Sequence, residues 1–335
     1  MKTDKPQIVL VTGATGAVGP RVVAALLESG CRVRTFSLDA LLGEWPDGID
    51  ALIGDITDPA AVQTAIQGVD AVIHLAALLH IVNPPPALRE KYEHINVGGT
   101  ATVVDAAIRA GVKRVVLFST IAVYGPSNGR ILTEDAKPSP DTFYAETKLS
   151  AEKIVLGATG VDGEKIGTVL RLSAVYGSRI KGNYERLTHA LARRRFIPIG
   201  NGLNHRTLVY DKDVARAAVL AASHPAAAGR LFNVTDGNFH TLNEIIETIC
   251  SAIGRKPPRL SLPLRVTRGA AGLLEGLGKA AKMPIPAVRS MIDKYTEDVA
   301  VDGHLIQKEL GFVPEYGLKK GWEETISEMR RLGYL

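Results

Sequence analysis

Tyr144 and Lys148 stand four residues apart in the run Phe143-Tyr144-Ala145-Glu146-Thr147-Lys148-Leu149. The segment reads as a helix, and that separation puts both side chains on one face. A free tyrosine keeps its proton to about pH 10, which makes it a poor base near neutrality. An ammonium group beside it, or a positively charged nicotinamide, favours the phenolate. A surface ion pair or a packing pair has the same spacing, so the motif alone decides little. Its company decides more. Ser119 and Thr120 follow the apolar run Val115-Val116-Leu117-Phe118. That places hydroxyl groups at the carboxyl end of a buried strand, where open α/β sheets bind their ligands. A phenol, an amine and a hydroxyl in one crevice can move a proton on and off an alcohol or carbonyl oxygen.

A second cluster, Thr12-Gly13-Ala14-Thr15-Gly16-Ala17-Val18-Gly19, follows the short apolar run Ile8 to Val11 and opens an amphipathic stretch from Val22 to Leu27. Glycines there permit a tight turn, close approach of backbone N–H groups to a pyrophosphate, and tight helix–strand packing. Gly13, Thr15, Gly16, Ala17, Val18 and Gly19 are therefore expected to cradle a dinucleotide. At the end of the second strand, Ser37 and Asp39 are the candidates for the ribose hydroxyls, whereas Arg21 and Arg34 could meet a 2′-phosphate instead. NAD is the expected cofactor, with NADP left open. Asp55 follows the third strand and could contact the adenine or cap a helix, a task better suited to Asp58 before Pro59.

The elements that must position these groups alternate. Strands are expected at Ile8 to Val11, Arg32 to Phe36, Ala51 to Ile53, Ala71 to Leu75 and Val115 to Phe118, with a helix at Ala101 to Ala110 among the segments between them. Continuous apolar runs suit strands buried on both faces, and the β-α alternation predicts an α/β fold with a Rossmann-type, doubly wound parallel sheet. After Gly177 the chain becomes helix-rich, as at Tyr184 to Arg194, Val214 to Ala222, Ala270 to Ala281 and Trp322 to Arg331. Thr241 and Glu244 form a capping box ahead of another helix, with Leu242, Ile245, Ile246, Ile249 and Ile253 on one face and Pro257-Pro258 as its stop. The expected division is a dinucleotide-binding domain at 1–178, rejoined by 206–236, and a smaller substrate lobe from 179–205 and 237–335.

Composition excludes several classes. Aromatic residues are 5% of the chain and the net charge is only +5, so no nucleic-acid partner is expected. Two cysteines, Cys31 and Cys250, rule out a disulfide framework and suit a reducing cytoplasm. No apolar run approaches the roughly 20 residues that span a bilayer, so no membrane partner is expected. The histidines have no metal-ligand spacing. His80, in a loop beside Pro84-Pro85-Pro86, is the one placed to reach the crevice.

On these residues the chain resembles the extended short-chain dehydrogenase/reductase family, in its branch of nucleotide-sugar epimerases, dehydratases and reductases. The likeness runs over essentially the whole length. It is carried by Thr12 to Gly19, Asp55, His74-Leu75-Ala76-Ala77, Asn96-Val97-Gly98-Gly99-Thr100, Ser119 to Gly125, Tyr144 with Lys148, and Leu170-Arg171-Leu172-Ser173-Ala174-Val175-Tyr176-Gly177. The resemblance implies that Thr120 bonds the reacting oxygen, with Ser119 as neighbour and substitute, and that Lys148 binds the nicotinamide ribose and holds the Tyr144 pKa down. It further implies that Asp55, Ile56, Leu75, Ala76, Ala77 and Asn96 lie along the cofactor, that Tyr176 lies near the nicotinamide or packs in the core, and that the enzyme is a homodimer. Asn183 would contact the nucleotide and Arg206 would grip the diphosphate of a sugar-nucleotide substrate; a salt bridge from Arg206 to Asp211 or Asp213 is the plainer reading.

Two departures narrow the reaction. Ile121-Ala122 stand where 4,6-dehydratases carry an acidic pair, so dehydration is not expected. Ala174 replaces an asparagine common in sugar-nucleotide epimerases. The expected activity is a nucleotide-sugar 4-epimerase with tightly bound NAD and a 4-keto intermediate. The alternatives are an NAD(P)H-dependent 4-keto-sugar reductase and a hydroxysteroid-type dehydrogenase.

Overall fold

The computed structural model describes residues 7–79, 81, 84–280 and 288–335 of the chain. His80 lies outside the described residues. Seven strands form one parallel sheet. Five carry labels here: β1 (Ile8–Thr12), β2 (Arg32–Ser37), β3 (Asp50–Ile53), β4 (Ala71–His74) and β5 (Arg114–Thr120). With Gly167–Leu172 and Arg230–Val234 the spatial order is Arg230–Val234, Gly167–Leu172, β5, β4, β1, β2, β3. The order reverses between β1 and β4, which opens a crevice at their carboxyl ends.

Alternation along the strands builds a core on each face. Val9 and Val11 of β1 pack with Val22, Val23 and Leu26 of helix α1 (Gly19–Glu28) and with the alanine-rich helix Asp211–Ser223. Leu10 points the other way, to Val62 and Ile66 of helix α2 (Pro59–Ile66), Val103 of Gly99–Arg109 and Val155 of Phe143–Gly157. Successive side chains of a strand take opposite faces, so one short apolar run serves both cores. The register sets heights at the rim. Thr12 lies opposite both Phe36 and His74, whereas His74 lies opposite Leu117. Phe118, Ser119 and Thr120 therefore extend beyond the end of β4.

Past Gly177, helices 183–192, 242–253 and 318–331 close a third core over the strand pair Ala174–Tyr176 and Leu208–Tyr210. Tyr176 stacks on Trp322 with ring centroids 4.7 Å apart. The expected capping box is present: Thr241 Oγ1 accepts from the Glu244 N–H at 3.2 Å and Glu244 accepts from the Thr241 N–H at 2.7 Å. The helix ends earlier than the proline pair implies. Gly254 takes φ +81° as a left-handed cap, a conformation that costs a side-chain-bearing residue more than glycine. Removing the cap hydroxyl by Thr241→Ala should cost about 1 kcal/mol of stability, read as a lower denaturation midpoint with unchanged transition slope.

Candidate active site

The glycine loop leaves β1 at Thr12 and enters α1 at Gly19. Gly13 has φ +69°, and a Cβ there would fall 2.7 Å from the Ala76 nitrogen, so only glycine lets the loop lie against the segment after β4. The α1 amino terminus has no side-chain cap and no acidic residue in its first turn. Its first N–H groups carry partial positive charge toward the crevice, as an anionic pyrophosphate requires. The residues present thus fit a dinucleotide. Ser37, at the end of β2, is buried and accepts a hydrogen bond from the Thr15 N–H at 3.3 Å, so its hydroxyl holds the loop from below. Asp39 is exposed just beyond the strand. Asp55 is exposed and accepts from the Thr57 N–H, while Asp58 caps α2 through the N–H groups of Ala60 and Ala61. Ile56 is buried against Gly99. Both basic candidates for a 2′-phosphate are engaged elsewhere. Arg21 pairs with Asp211 and Glu328, and Arg34 with Asp50 and two backbone carbonyls.

Beneath the loop runs a hydrogen-bonded chain through Thr12, His74, Thr100 and Asn96. Thr100 donates to the Asn96 carbonyl at 2.6 Å and thus receives the His74 Nε2–H at 3.1 Å. That fixes the tautomer, so Nδ1 accepts from the Thr12 hydroxyl at 2.6 Å. Thr12 Oγ1 in turn accepts from the Ala76 N–H at 3.4 Å. Every polar atom of the buried imidazole is satisfied in the neutral form. Burial and the nearby Lys148 ammonium push its pKa down to about 3. The only local signal in the sequence was a histidine ending an otherwise apolar strand.

Asn96 is expected along the cofactor, but its side-chain amide is spent inside the protein. It accepts from the Leu78 N–H at 2.7 Å and donates to the Leu78 carbonyl and to Thr147 Oγ1, each at 3.1 Å. It sits in a π-helical segment, Glu93–Gly98, the kind of bulge that recurs at functional sites. Asn96 therefore positions the segment Leu75, Ala76, Ala77, Leu78 against the helix that carries Tyr144.

Helix Phe143–Gly157, capped by the Thr142 hydroxyl, packs across β5 and the turn Ile121–Tyr124. Its face presents Tyr144, Lys148 and, one turn on, Glu152. Burial pushes the Lys148 amine down to about 8, opposed by the Glu152 carboxylate. Glu152 is itself held by Arg171 through two bonds, 2.9 and 2.6 Å, and by the Ser119 hydroxyl at 2.5 Å. Ser119 is thereby corrected from substitute to support, since its hydroxyl donates into the core. Thr120 is half-buried at the strand end and accepts from the Ala122 N–H at 3.2 Å, which leaves its proton to donate. The expected lowering of the Tyr144 pKa is absent from the protein itself. Burial, with the Tyr92 phenol beside it, pushes Tyr144 up to about 12, so the protein holds it as a phenol.

Asn183 is exposed at the first turn of helix 183–192. Arg206 makes no salt bridge to Asp211 or Asp213. Its Nη2 donates to the carbonyls of Lys294 and Tyr295, at 2.6 and 3.0 Å. Asp211 pairs with Arg21, and Asp213 accepts from Arg216 and from the N–H groups of Glu315 and Tyr316. Tyr176 is buried among Trp322, Tyr210 and Gly321, which decides between its two readings in favour of packing. Among the described residues no cluster of His, Cys, Asp and Glu could hold a metal ion.

Comparison with known proteins places this geometry. A family model described as the NAD dependent epimerase/dehydratase family matches residues 9–235. UDP-glucose 4-epimerase of Vibrio cholerae is 27% identical over 325 residues, covering 96% of this chain and 94% of that protein. A 3 beta-hydroxysteroid dehydrogenase/Delta 5-->4-isomerase of Mycobacterium tuberculosis (strain ATCC 25618 / H37Rv) is 29% identical over 331 residues, covering 95% of this chain and 89% of that one. The solved structure of MoeE5 in complex with UDP-glucose and NAD superposes with a TM-score of 0.76 at 28% identity, over 97% of this chain and 99% of that one.

Because the folded protein keeps His74 neutral while the unfolded chain protonates it near 6.5, its contribution to stability is complete above that pH and is lost as pH falls toward about 3. His74→Gln, measured by denaturant melts across that window, should flatten this part of the pH dependence. An unchanged dependence would place the acid sensitivity elsewhere.

Proposed function

The chain belongs to the NAD dependent epimerase/dehydratase family, and from that premise we propose that it is a nucleotide-sugar 4-epimerase in which Tyr144 carries the proton of the C4 oxygen. The observation that carries this reading is the shared face of Tyr144 and Lys148 on a helix packed across β5, the strand that ends in Thr120, in the same sheet whose β1 leads into the glycine loop. The UDP-glucose 4-epimerase relative and the MoeE5 complex with UDP-glucose and NAD support the substrate class. The commitment of Arg21 and Arg34 to internal ion pairs supports NAD over NADP.

Bound NAD would supply the hydride acceptor and donor and, when oxidised, a positive charge near the phenol. The remaining work falls to the chain. Gly13, Gly16 and the α1 amino terminus would hold the pyrophosphate, and Leu75 to Ala77 would border the cofactor, with Asp39 or Ser37 toward the ribose. Lys148, its charge supported by Glu152, would bind the nicotinamide ribose, and with an oxidised ring bound its ammonium would favour the phenolate of Tyr144. Tyr144 takes the proton of the C4 hydroxyl as the alcohol becomes a ketone, and returns it after the sugar has turned. Thr120 donates a hydrogen bond to the same oxygen and fixes its position. Asn183 and the unengaged donors of Arg206 face the nucleotide side, where a guanidinium suits a diphosphate.

A second reading is reduction of a 4-keto sugar, in which Tyr144 donates the proton and the reduced nicotinamide is consumed. Stoichiometry separates the two. The purified enzyme with UDP-glucose should form the C4 epimer without net change in nicotinamide absorbance, whereas cofactor consumed mole for mole with product would establish the reductase. Tyr144→Phe should lower turnover at least a thousandfold and leave NAD affinity within a few-fold. Thr120→Val should lose on the order of 10²-fold in kcat, the usual effect of removing one hydrogen bond to a reacting oxygen.

A further inference from the structure

The helices Leu264–Ala280 and Val288–Thr296 pair with each other while much of their apolar side chain surface stays exposed. Arg268 pairs with Asp293 at 3.1 Å, Glu275 accepts from the Arg289 N–H at 2.9 Å, and Ala271 and Ile292 are buried between the helices. Several large apolar residues are exposed. Val266 is 67% exposed, Leu273 72% and Leu274 54%, and with Ala270 they occupy positions i, i+4, i+7 and i+8 of one stripe. Met291 of the second helix and Leu260 and Leu262 of the preceding segment are exposed as well. A soluble surface scatters such residues singly, and a run of them marks something that is met there.

Charge indicates what is met. Between Arg255 and Lys294 the chain has nine of its 40 Lys and Arg but two of its 35 Asp and Glu. The positive balance of +5 is therefore more than accounted for by this segment, and the rest of the chain is slightly acidic. Arg259, Arg265, Arg268 and Arg289 are exposed along it. An outward apolar stripe bordered by arginines is the pattern of a helix that lies in a membrane interface, apolar side chains among the acyl chains and guanidinium groups at anionic head groups. An apolar partner without charge, or a second copy bearing the same positive charge, would leave the arginines uncompensated.

We infer that this hairpin docks the protein peripherally on an anionic lipid surface. No helix among the described residues is long and apolar enough to cross a membrane, and none is needed for a helix lying in the interface plane. The hairpin is also tied to the substrate side, since the carbonyls of Lys294 and Tyr295 receive Arg206. Docking therefore sets the crevice at a fixed height above the head groups.

The test is sedimentation of the full chain with extruded vesicles, either equal parts phosphatidylglycerol and phosphatidylcholine or phosphatidylcholine alone. Binding is expected to the anionic vesicles only, to fall severalfold between low and high salt, and to drop at least tenfold in Leu273→Glu/Leu274→Glu. Arg259→Glu/Arg265→Glu should weaken it while leaving the apolar stripe intact. Both variants alter exposed positions, and an unchanged thermal midpoint confirms that they fold. Absence of vesicle binding, or equal binding of the Leu273→Glu/Leu274→Glu variant, overturns the inference. So does a dimer in sedimentation velocity that this variant dissociates without any effect of lipid, which would assign the stripe to a second copy.

Discussion

The ammonium group of Lys148 is buried, and the site is organised by the need to keep it charged there. A lone buried cation would shed its proton, and burial has already brought Lys148 down to about 8. Glu152 opposes that loss from the next turn of the same helix. A free carboxylate at that depth would itself be costly, and Arg171 and Ser119 hold it in place. Arg171 further lies over the Tyr124 ring, its guanidinium carbon 4.5 Å from the centroid, and the Tyr124 hydroxyl donates to Asn233 at 2.8 Å. The carboxylate that opposes loss of the Lys148 charge is thus held by a chain of contacts that reaches the strand Arg230–Val234.

The same ammonium constrains its other neighbour. A protonated His74 would set a second buried cation near the first, so the threonine pair that fixes His74 in its neutral tautomer belongs to the same arrangement. Because Thr12 begins the glycine loop and Ala76 borders it, the network that protects the charge also fixes the floor of the dinucleotide crevice. Asn96 extends this to the helix of Tyr144 through Thr147. The proposed cofactor cradle and acid–base pair are in this sense one polar network, built around the carboxyl ends of β1, β4 and β5.

The fold was legible because its signals were local. Five apolar runs, the glycine loop and the Thr241 capping box each specify an element from its own residues, and all appear within a residue or two of expectation. Strands Gly167–Leu172 and Arg230–Val234 were less visible as strands, since Arg171 and Asn233 interrupt their apolar pattern to serve the buried network. The residues proposed to react, Tyr144, Lys148 and Thr120, were legible as types at a spacing. Their supports were not, because pairings such as Glu152 with Arg171 or His74 with Thr12 join residues far apart in sequence, and nothing in either neighbourhood announces the other. The same limit explains Ser119, Asn96 and Tyr176, whose side chains turn inward for partners that only the folded chain supplies. The helix Leu264–Ala280 was expected only from Ala270 onward, as a helical stretch, and its exposed apolar residues were not anticipated, because a sequence does not show which way a helix face points.

The account depends most on Glu152 setting the charge of Lys148. The pH profile of kcat/KM for Glu152→Gln beside the parent enzyme tests it directly. Activity that needs the ammonium should decline above about pH 8 in the parent, and the decline should begin at lower pH in the variant, because loss of the carboxylate removes the opposition to burial. An alkaline limb at the same pH in both proteins would contradict the account.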